Sequence, residues 1–405
     1  MASRAVEVAG PRLRLVRPDD RVVSPALAVR LSRRNTALLL VPAGALVAVG
    51  LIMVLSASSW TAYTRYGSSF LFFRRQAVYA VVGAGAMFVT SRMRYTAWRR
   101  LALPFLVVAV LLLIMVLQPS AGTVAGGSAR WLTFGPVNVQ PSEFAKLALI
   151  TFVAALLARK RNHLQDLVHL ALPLLPVVSV VCGLVILQPD LGTALILSMS
   201  VFLLLYVAGV RMRYLVSAAA FGSILSMALI LSEPYRRARL LAFLHPRHDP
   251  GNTGWHLFQS LIALGSGGWF GVGLGASRQD WGYVPNAHTD FIFSILGEEV
   301  GLVGEIVILT LFGLLIFAGI RIAARAPDAF GRLLAAGIVG WLGIQTVVNL
   351  GAVTGLMPIT GVPLPFLSYG GSSLVVSMAS VGILANISRC SAPGPRRKAT
   401  RRRAG

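Results

Sequence analysis

The chain has 405 residues, of which 56% are hydrophobic and 13% charged, and its mean hydropathy is +0.74. This composition excludes a water-soluble globular domain and is typical of proteins with several membrane-spanning helices. The formal net charge of +23 could indicate a nucleic-acid partner, but the basic residues follow alternate loops, which argues against nucleic acid and for a multi-pass membrane protein.

Apolar segments of about 20 residues, the length that crosses a bilayer, recur along the chain. They predict ten membrane helices, at 37–57, 76–91, 101–118, 142–158, 167–187, 190–209, 214–231, 291–320, 333–353 and 368–388. The predicted fold class is therefore all-α, a polytopic helix bundle whose membrane domain covers residues 35–390.

Basic residues predict the orientation of this bundle. They are concentrated in both chain ends and in the loops at 92–100, 159–161, 211–213 and 321–332. Because Lys and Arg accumulate in cytoplasmic loops, we expect both termini to be cytoplasmic. The tails at 1–34 and 391–405 are rich in Arg and are expected to be disordered and to contact anionic membrane lipids.

The fourth predicted helix carries Glu143 and Lys146, which lie on one helix face and can form an ion pair. A charge at mid-bilayer costs about 2.5–3.5 kcal/mol on insertion scales, so the pair is expected to face the bundle interior or a wet cavity. A structural ion pair that only sets helix register is an equally good interpretation. Asp190, in the turn before the sixth helix, is expected to cap that helix.

A long loop at 232–290 separates predicted helices seven and eight, and half of the 14 carboxylates lie between residues 233 and 305. Structureless loops of this length usually have a function, and this one is expected to be extracytoplasmic. Arg236, Arg237 and Arg239 could bind lipid phosphates or a substrate diphosphate. The glycine run at 265–275 lacks the Gly-Lys-Ser/Thr of a nucleotide loop and predicts either a flexible loop with a re-entrant turn or a ligand contact.

His288, Thr289 and Asp290 come directly before the eighth predicted helix. The positive end of the helix dipole is expected to keep Asp290 ionised, so that it could act as a general base. Capping of the helix by Thr289 or Asp290 is the structural alternative. His288 could share the base role or serve only in hydrogen bonding.

The segment 355–373 combines three prolines with four glycines. Such a backbone cannot lie unpaired in lipid, so it is expected to be buried in protein or to line a cavity. Gln345 and Asn349, one turn apart on the ninth helix, are expected to join helices by hydrogen bonds.

Six motifs, in order along the chain, resemble the FtsW/RodA/SpoVE family, the SEDS peptidoglycan polymerases of bacteria, and most closely its FtsW division branch. They are GSARW at 127–131, QPSEFAK at 140–146, QPDLGT at 188–193, PNAHTDFIF at 285–293, GEE at 297–299 and PLPFLSYGGSS at 363–373. The segments 243–250 and 254–259 depart from the family pattern, so no role is carried over to His245, Arg247 or His256.

The resemblance implies a ten-helix fold and transfer of a glycosyl group from lipid II on the outer face of the bacterial cytoplasmic membrane, for septal wall synthesis. It implies that Asp290 is the catalytic carboxylate. Contacts with the substrate are expected from Arg130, Glu143, Lys146, Arg236, Arg237, Arg239, His288, Thr289, Ser372 and Ser373. No metal ligands can be assigned, although Mg²⁺ or Mn²⁺ could assist the arginines at the leaving diphosphate.

The expected partners are a class B penicillin-binding transpeptidase similar to FtsI, other division proteins and membrane lipids. Alternative functions are a lipid II flippase or transporter, a RodA-type elongation polymerase, or a noncatalytic scaffold for division proteins. The concentration of carboxylates at one end of the bundle disfavours the flippase, because a translocation path needs polar groups throughout the bilayer depth.

Overall fold

The computed structural model describes residues 25–118, 122–125, 128–135, 137–244, 253–277 and 288–391. These residues form α1 (Pro25–Tyr66), α2 (Leu71–Arg92), α3 (Tyr95–Val116), β1 (Gly122–Ala125), β2 (Ser128–Phe134), β3 (Val137–Val139), α4 (Pro141–Arg159), α5 (Leu167–Leu187), α6 (Leu191–Ala208), α7 (Met212–Leu231), α8 (Pro234–Leu244), α9 (Thr253–Ser266), α10 (Ile292–Ala324), α11 (Ala329–Val353) and α12 (Gly371–Cys390). The predicted all-α bundle is confirmed.

Nine helices in the described ranges are long and apolar enough to cross a membrane: α1, α3, α4, α5, α6, α7, α10, α11 and α12. The remaining predicted span is α2, which has 22 residues but is less apolar because it contains Arg74, Arg75 and Gln76. It packs closely along α12 through glycines. A Cβ on Gly382 would lie 2.1 Å from Thr90 Oγ1, so only glycine allows this approach.

The most buried helices form the centre of the bundle. Over the apolar 18-residue stretch of each helix, 72% is buried in α4, 67% in α11 and 89% in α12, against 6% in α7 at the periphery. Polar side chains on these central helices must therefore bond within the protein.

Two features differ from the predictions, one at the start of α1 and one after α3. The segment 25–34, predicted to be disordered, is the start of α1, whereas residues 1–24 and 392–405 of the predicted tails lie outside the described residues. A small antiparallel sheet, in the order β1-β2-β3, follows α3 and was not predicted.

The predicted loop at 232–290 is not structureless, because it contains α8, α9 and a docked glycine run. α10 is interrupted at Gly301, whose φ is 69°. The Leu302 amide donates to the Gly268 carbonyl and the Val272 amide donates to the Glu298 carbonyl, both at 2.9 Å. Lipid cannot form hydrogen bonds with the unpaired backbone groups at a helix break, so the glycine run supplies these bonds at the break in α10. This pairing explains the glycines of the run without a ligand.

Candidate active site

Asp290 lies between the chain's central helices and the segment that precedes α12. Its carbonyl accepts a hydrogen bond from Asn349 Nδ2 at 3.0 Å, and the same nitrogen donates to the Val362 carbonyl at 2.8 Å. Phe291 occupies the N-cap position of α10, and no side chain caps that helix. The capping interpretation of Thr289 and Asp290 is therefore wrong, and the predicted joining role of Asn349 is confirmed.

Burial dominates the electrostatics of Asp290. Burial raises the pKa of its carboxyl from 3.8 to about 6, although Arg239 and Arg130 lower it and Asp190 raises it further. Desolvation therefore raises the pKa despite the helix dipole that was expected to keep the carboxyl ionised, and the carboxyl is nevertheless mostly ionised at neutral pH, as predicted. At pH 7 about nine in ten carboxyls remain ionised, and a pKa close to the working pH suits a general base.

Asp290 and Arg239 face a common gap beside Gly361. A Cβ on Gly361 would lie 3.6 Å from Asp290 Oδ2 and 3.7 Å from Arg239 Nη1. Among the described residues, ion pairs within 4.0 Å form only between Lys146 and Glu143 and between His169 and Asp166, so the carboxylate and the guanidinium do not close the gap. Gly361 has a φ of 72°, which favours glycine.

A cavity of about 250 Å³ adjoins this gap, between α6, α7, α8, α11 and the segment after α11. Most of its walls are apolar, formed by Leu191, Leu195, Ile196, Met199, Ile230, Leu240, Val348, Met357 and Ile359. Arg130, Arg236 and Arg239 also line it, whereas Asp290 lies behind Gly361 and outside the lining. An apolar wall with three guanidinium groups suits an amphiphilic ligand with an anionic head.

Each cavity arginine is held by backbone carbonyl groups. Arg130 Nε donates to the Gln188 carbonyl at 3.0 Å. Arg236 Nη1 donates to the Leu229 carbonyl at 3.0 Å, and Arg239 Nη1 to the Ile359 carbonyl at 3.3 Å. These bonds orient the guanidinium groups without neutralising their charge. Arg237, predicted with the same cluster, is exposed and lies outside the cavity lining.

The predicted ion pair of Glu143 and Lys146 is confirmed at 2.8 Å, with exposures of 1% and 0%. Lys146 Nζ also donates to Gln345 Oε1 at 2.8 Å, and Gln345 Nε2 donates to the Pro363 carbonyl at 2.8 Å. The pair thus joins α4 to α11 and to the segment that lines the site. Neither residue lines the cavity, and their contact with substrate stays a prediction.

His288 packs in an aromatic cluster beside Asp290. Its ring centroid lies 4.9 Å from that of Phe72 and 5.6 Å from that of Tyr369. Burial, with a smaller effect of Arg65, lowers its pKa to about 4, so the ring is neutral at pH 7 and is a weaker base than Asp290. Thr289 is half-buried beside it and has an interaction partner.

The remaining predicted residues lie at the start of α12. Ser372 Oγ accepts a hydrogen bond from the Gln140 amide at 2.9 Å and so fixes the N-terminus of α4, whereas Ser373 Oγ is buried without a partner.

Asp190 caps α6 as predicted, because its Oδ1 accepts a hydrogen bond from the Thr193 amide at 3.1 Å.

Sequence reasoning missed Thr360. Thr360 is among the residues that line the cavity, and its hydroxyl is buried without a hydrogen-bond partner, so the hydroxyl keeps an unused hydrogen-bonding capacity. The sequence signal was its place in the Pro- and Gly-rich segment 355–373, but nothing in that pattern distinguished it from its neighbours.

Comparison with known proteins places these features in context. Residues 36–392 match the sequence profile of FTSW_RODA_SPOVE, described as cell cycle protein. The chain is 44% identical to the probable peptidoglycan glycosyltransferase FtsW of Geobacter metallireducens over 88% of this chain and 95% of that protein. It is 43% identical to the stage V sporulation protein E of Bacillus subtilis over 85% of this chain and 94% of that protein.

Solved structures show the same similarity. A chain from a structure described as the structural coordination of polymerization and crosslinking by a peptidoglycan synthase complex aligns with a TM-score of 0.72 and 33% identity, covering 87% of this chain and 97% of that one. The crystal structure of the rod shape determining protein RodA of Thermus thermophilus aligns with a TM-score of 0.65 and 31% identity, covering 88% and 97%.

Proposed function

The chain belongs to the FtsW/RodA/SpoVE family and is a peptidoglycan glycosyltransferase of the FtsW branch, and we propose that it polymerises lipid II with Asp290 as the general base. The observation that carries this proposal is the gap between Asp290 and Arg239 at the arginine-lined side of an otherwise apolar cavity.

The cavity matches the chemistry of a lipid-linked donor. The apolar walls accommodate part of a polyprenyl chain, whose remainder can stay in the bilayer. Arg130, Arg236 and Arg239 then contact the diphosphate, and the buried hydroxyl of Thr360 donates a hydrogen bond to it. The anomeric carbon of the sugar attached to the diphosphate lies at the gap beside Gly361, next to the Asp290 carboxylate.

The proposed reaction is a single displacement with inversion at the anomeric carbon. The 4-hydroxyl of the acceptor sugar attacks the anomeric carbon while Asp290 accepts the hydroxyl proton. The bond to the diphosphate oxygen breaks, and undecaprenyl diphosphate leaves with its negative charge stabilised by the arginines. Asp290 is suited to the proton transfer because its pKa of about 6 leaves it ionised at pH 7 yet able to bind a proton.

The role of Mg²⁺ or Mn²⁺ at the diphosphate stays a prediction. No group of three or more His, Cys, Asp or Glu side chains suited to a metal ion occurs in the part of the chain that the structure describes. An ion carried in with the diphosphate itself would need fewer protein ligands.

Orientation, location and partners follow from the family and the charge pattern. The alternation of basic loops supports cytoplasmic termini and a site on the outer face of the membrane. Membership of the FtsW branch supports septal wall synthesis during cell division, and the similarity to a chain of a peptidoglycan synthase complex supports a class B penicillin-binding transpeptidase as partner.

The test uses the purified chain in liposomes with lipid II, with and without a class B transpeptidase. We expect undecaprenyl diphosphate release and long glycan strands, and slower reaction with a donor whose prenyl tail is too short to fill the apolar wall. Translocation of lipid II without polymer would contradict the proposal and would support the flippase instead.

A further inference from the structure

A second cavity, of about 210 Å³, lies between the end of α1, the stretch after the glycine run and α10. Its described lining includes Ser59, Tyr63, Ser69, Ser277 and Glu299, and it shares no lining residue with the arginine-lined cavity. All five side chains offer oxygen atoms, and no lysine or arginine is among the described lining residues. The glycosyl transfer proposed above makes no use of this cavity.

Glu299 is the decisive residue of this cavity. The residue is 2% exposed, and its Oε1 accepts a hydrogen bond from Ser56 Oγ at 2.5 Å. Its Oε2 is buried and has no hydrogen-bond partner. A buried carboxylate oxygen without a partner is costly, so a ligand that supplies positive charge would stabilise it.

The neighbouring Glu298 helps to position one wall of this cavity. It is 3% exposed and accepts a hydrogen bond from Ser277 Oγ, and Ser277 lines the cavity. This bond holds Ser277 beside the polar space that Glu299 also lines.

We propose that this cavity binds a hydrated divalent cation, held by Glu299 Oε2 and by the hydroxyl oxygens of Ser59, Ser277 and Tyr63. Oxygen-only donors select hard cations such as Mg²⁺, Mn²⁺ or Ca²⁺. The cavity has room for several waters, since one water needs about 10–15 Å³. An ion that keeps most of its waters needs only one or two carboxylates, as is usual for Mg²⁺.

The bound ion connects three parts of the chain. Ser59 belongs to α1, Gly275 ends the glycine run and Ser277 follows it, and Glu299 lies two residues before the break in α10 at Gly301. The ion therefore holds the glycine run against α10, where backbone groups of the run form hydrogen bonds with those at the helix break. Its expected effect is on the stability of this junction, and the inference does not depend on the reaction at Asp290.

The test measures metal binding and stability, not glycan synthesis. The purified chain in nanodiscs is titrated with Mn²⁺ while electron paramagnetic resonance records the free ion. We expect saturable binding that Glu299→Gln weakens by roughly 10–100-fold, the range seen when metal-site partners are lost. Glu305→Gln removes a carboxyl from the same helix outside this cavity and Asp290→Asn removes the proposed base, and both are expected to bind as the native chain does.

Two further readings use the folded protein directly. Mn²⁺ is expected to raise the Tm of the native chain and of Glu305→Gln but not of Glu299→Gln, because a ligand stabilises only a state that binds it. Tb³⁺ in the site is expected to show emission sensitised by Trp60, which lines the cavity, and Trp60→Phe should reduce that emission without weakening Mn²⁺ binding. Absence of saturable Mn²⁺ binding to the native chain, or equal affinity in Glu299→Gln, would overturn the proposal.

Discussion

The pH dependence of lipid II polymerisation is expected to reveal the electrostatic coupling between Asp290 and Arg239. The base must be ionised to accept a proton, so the rate should fall as the pH drops through the Asp290 pKa of about 6. The ionised fraction is about 0.91 at pH 7 and about 0.09 at pH 5, which predicts a roughly tenfold loss of rate.

Replacing Arg239 by Gln should move this transition upward. Arg239 is the strongest of the charges that lower the Asp290 pKa. Asp290 Oδ2 lies 3.6 Å and Arg239 Nη1 lies 3.7 Å from the position that a Cβ would take on Gly361. The two atoms are therefore at most about 7.3 Å apart, and they are farther apart than 4.0 Å because they form no ion pair. At an effective dielectric constant of about 20, a separation of about 7.3 Å gives an interaction of about 2.3 kcal/mol, or about 1.7 pKa units, and a shorter separation gives more. The midpoint in Arg239→Gln is therefore expected at or above about pH 7.7.

Matched variants separate this effect from loss of diphosphate binding. Arg236 lines the same cavity but is not among the charges that shift the Asp290 pKa, so Arg236→Gln should slow polymerisation with its midpoint still near pH 6. Arg237 is exposed outside the cavity, and Arg237→Gln should change neither quantity. The assay is the initial rate of undecaprenyl diphosphate release between pH 5 and 9. A midpoint in Arg239→Gln that equals the native midpoint would refute the reasoning.

Three further variants probe stability and space at the site. Lys146→Met leaves the buried Glu143 carboxylate unpaired and should lower the unfolding free energy by about 3–5 kcal/mol in a denaturation assay. The double variant with Glu143→Gln should recover part of this loss, and an equal loss of unfolding free energy in the single and double variants would contradict the reasoning. Gly361→Ala should cost about 1–2 kcal/mol because of its positive φ and should slow polymerisation further by filling the gap, so full activity would contradict the proposed sugar position. Asp290→Asn should raise the Tm at pH 7 but not at pH 4, because the raised Asp290 pKa destabilises the native folded state as the pH rises from 3.8 to about 6. The effect is at most about 3 kcal/mol. An unchanged Tm at pH 7 would argue against a desolvated carboxylate.

Membrane helices could be predicted from the sequence because the bilayer imposes their length and polarity. The apolar segment at 167–187 coincides with α5, and 142–158 lies within α4. The start of α1 could not be predicted in this way, because Arg30, Arg33 and Arg34 interrupt the apolar pattern within a continuous helix. The docking of the glycine run on α10 depends on backbone groups that meet only in the folded chain.

The same distinction applies to the candidate site. The Glu143–Lys146 pair and the Asp190 cap were predictable because their partners lie three residues apart. The pKa of Asp290 was not, because its desolvation arises from elements distant in sequence that enclose it together. The unpaired Thr360 hydroxyl likewise becomes visible only when the cavity has formed.

Whether the Asp290 carboxylate takes the proton of the attacking hydroxyl is tested most directly by the rate of glycan synthesis in Asp290→Asn. The variant is reconstituted with lipid II and compared with native chain and with Arg237→Gln, after its thermal unfolding shows that it is folded. We expect loss of polymerisation in Asp290→Asn with lipid II binding retained. Glycan strands formed at the native rate by the folded variant would contradict this expectation.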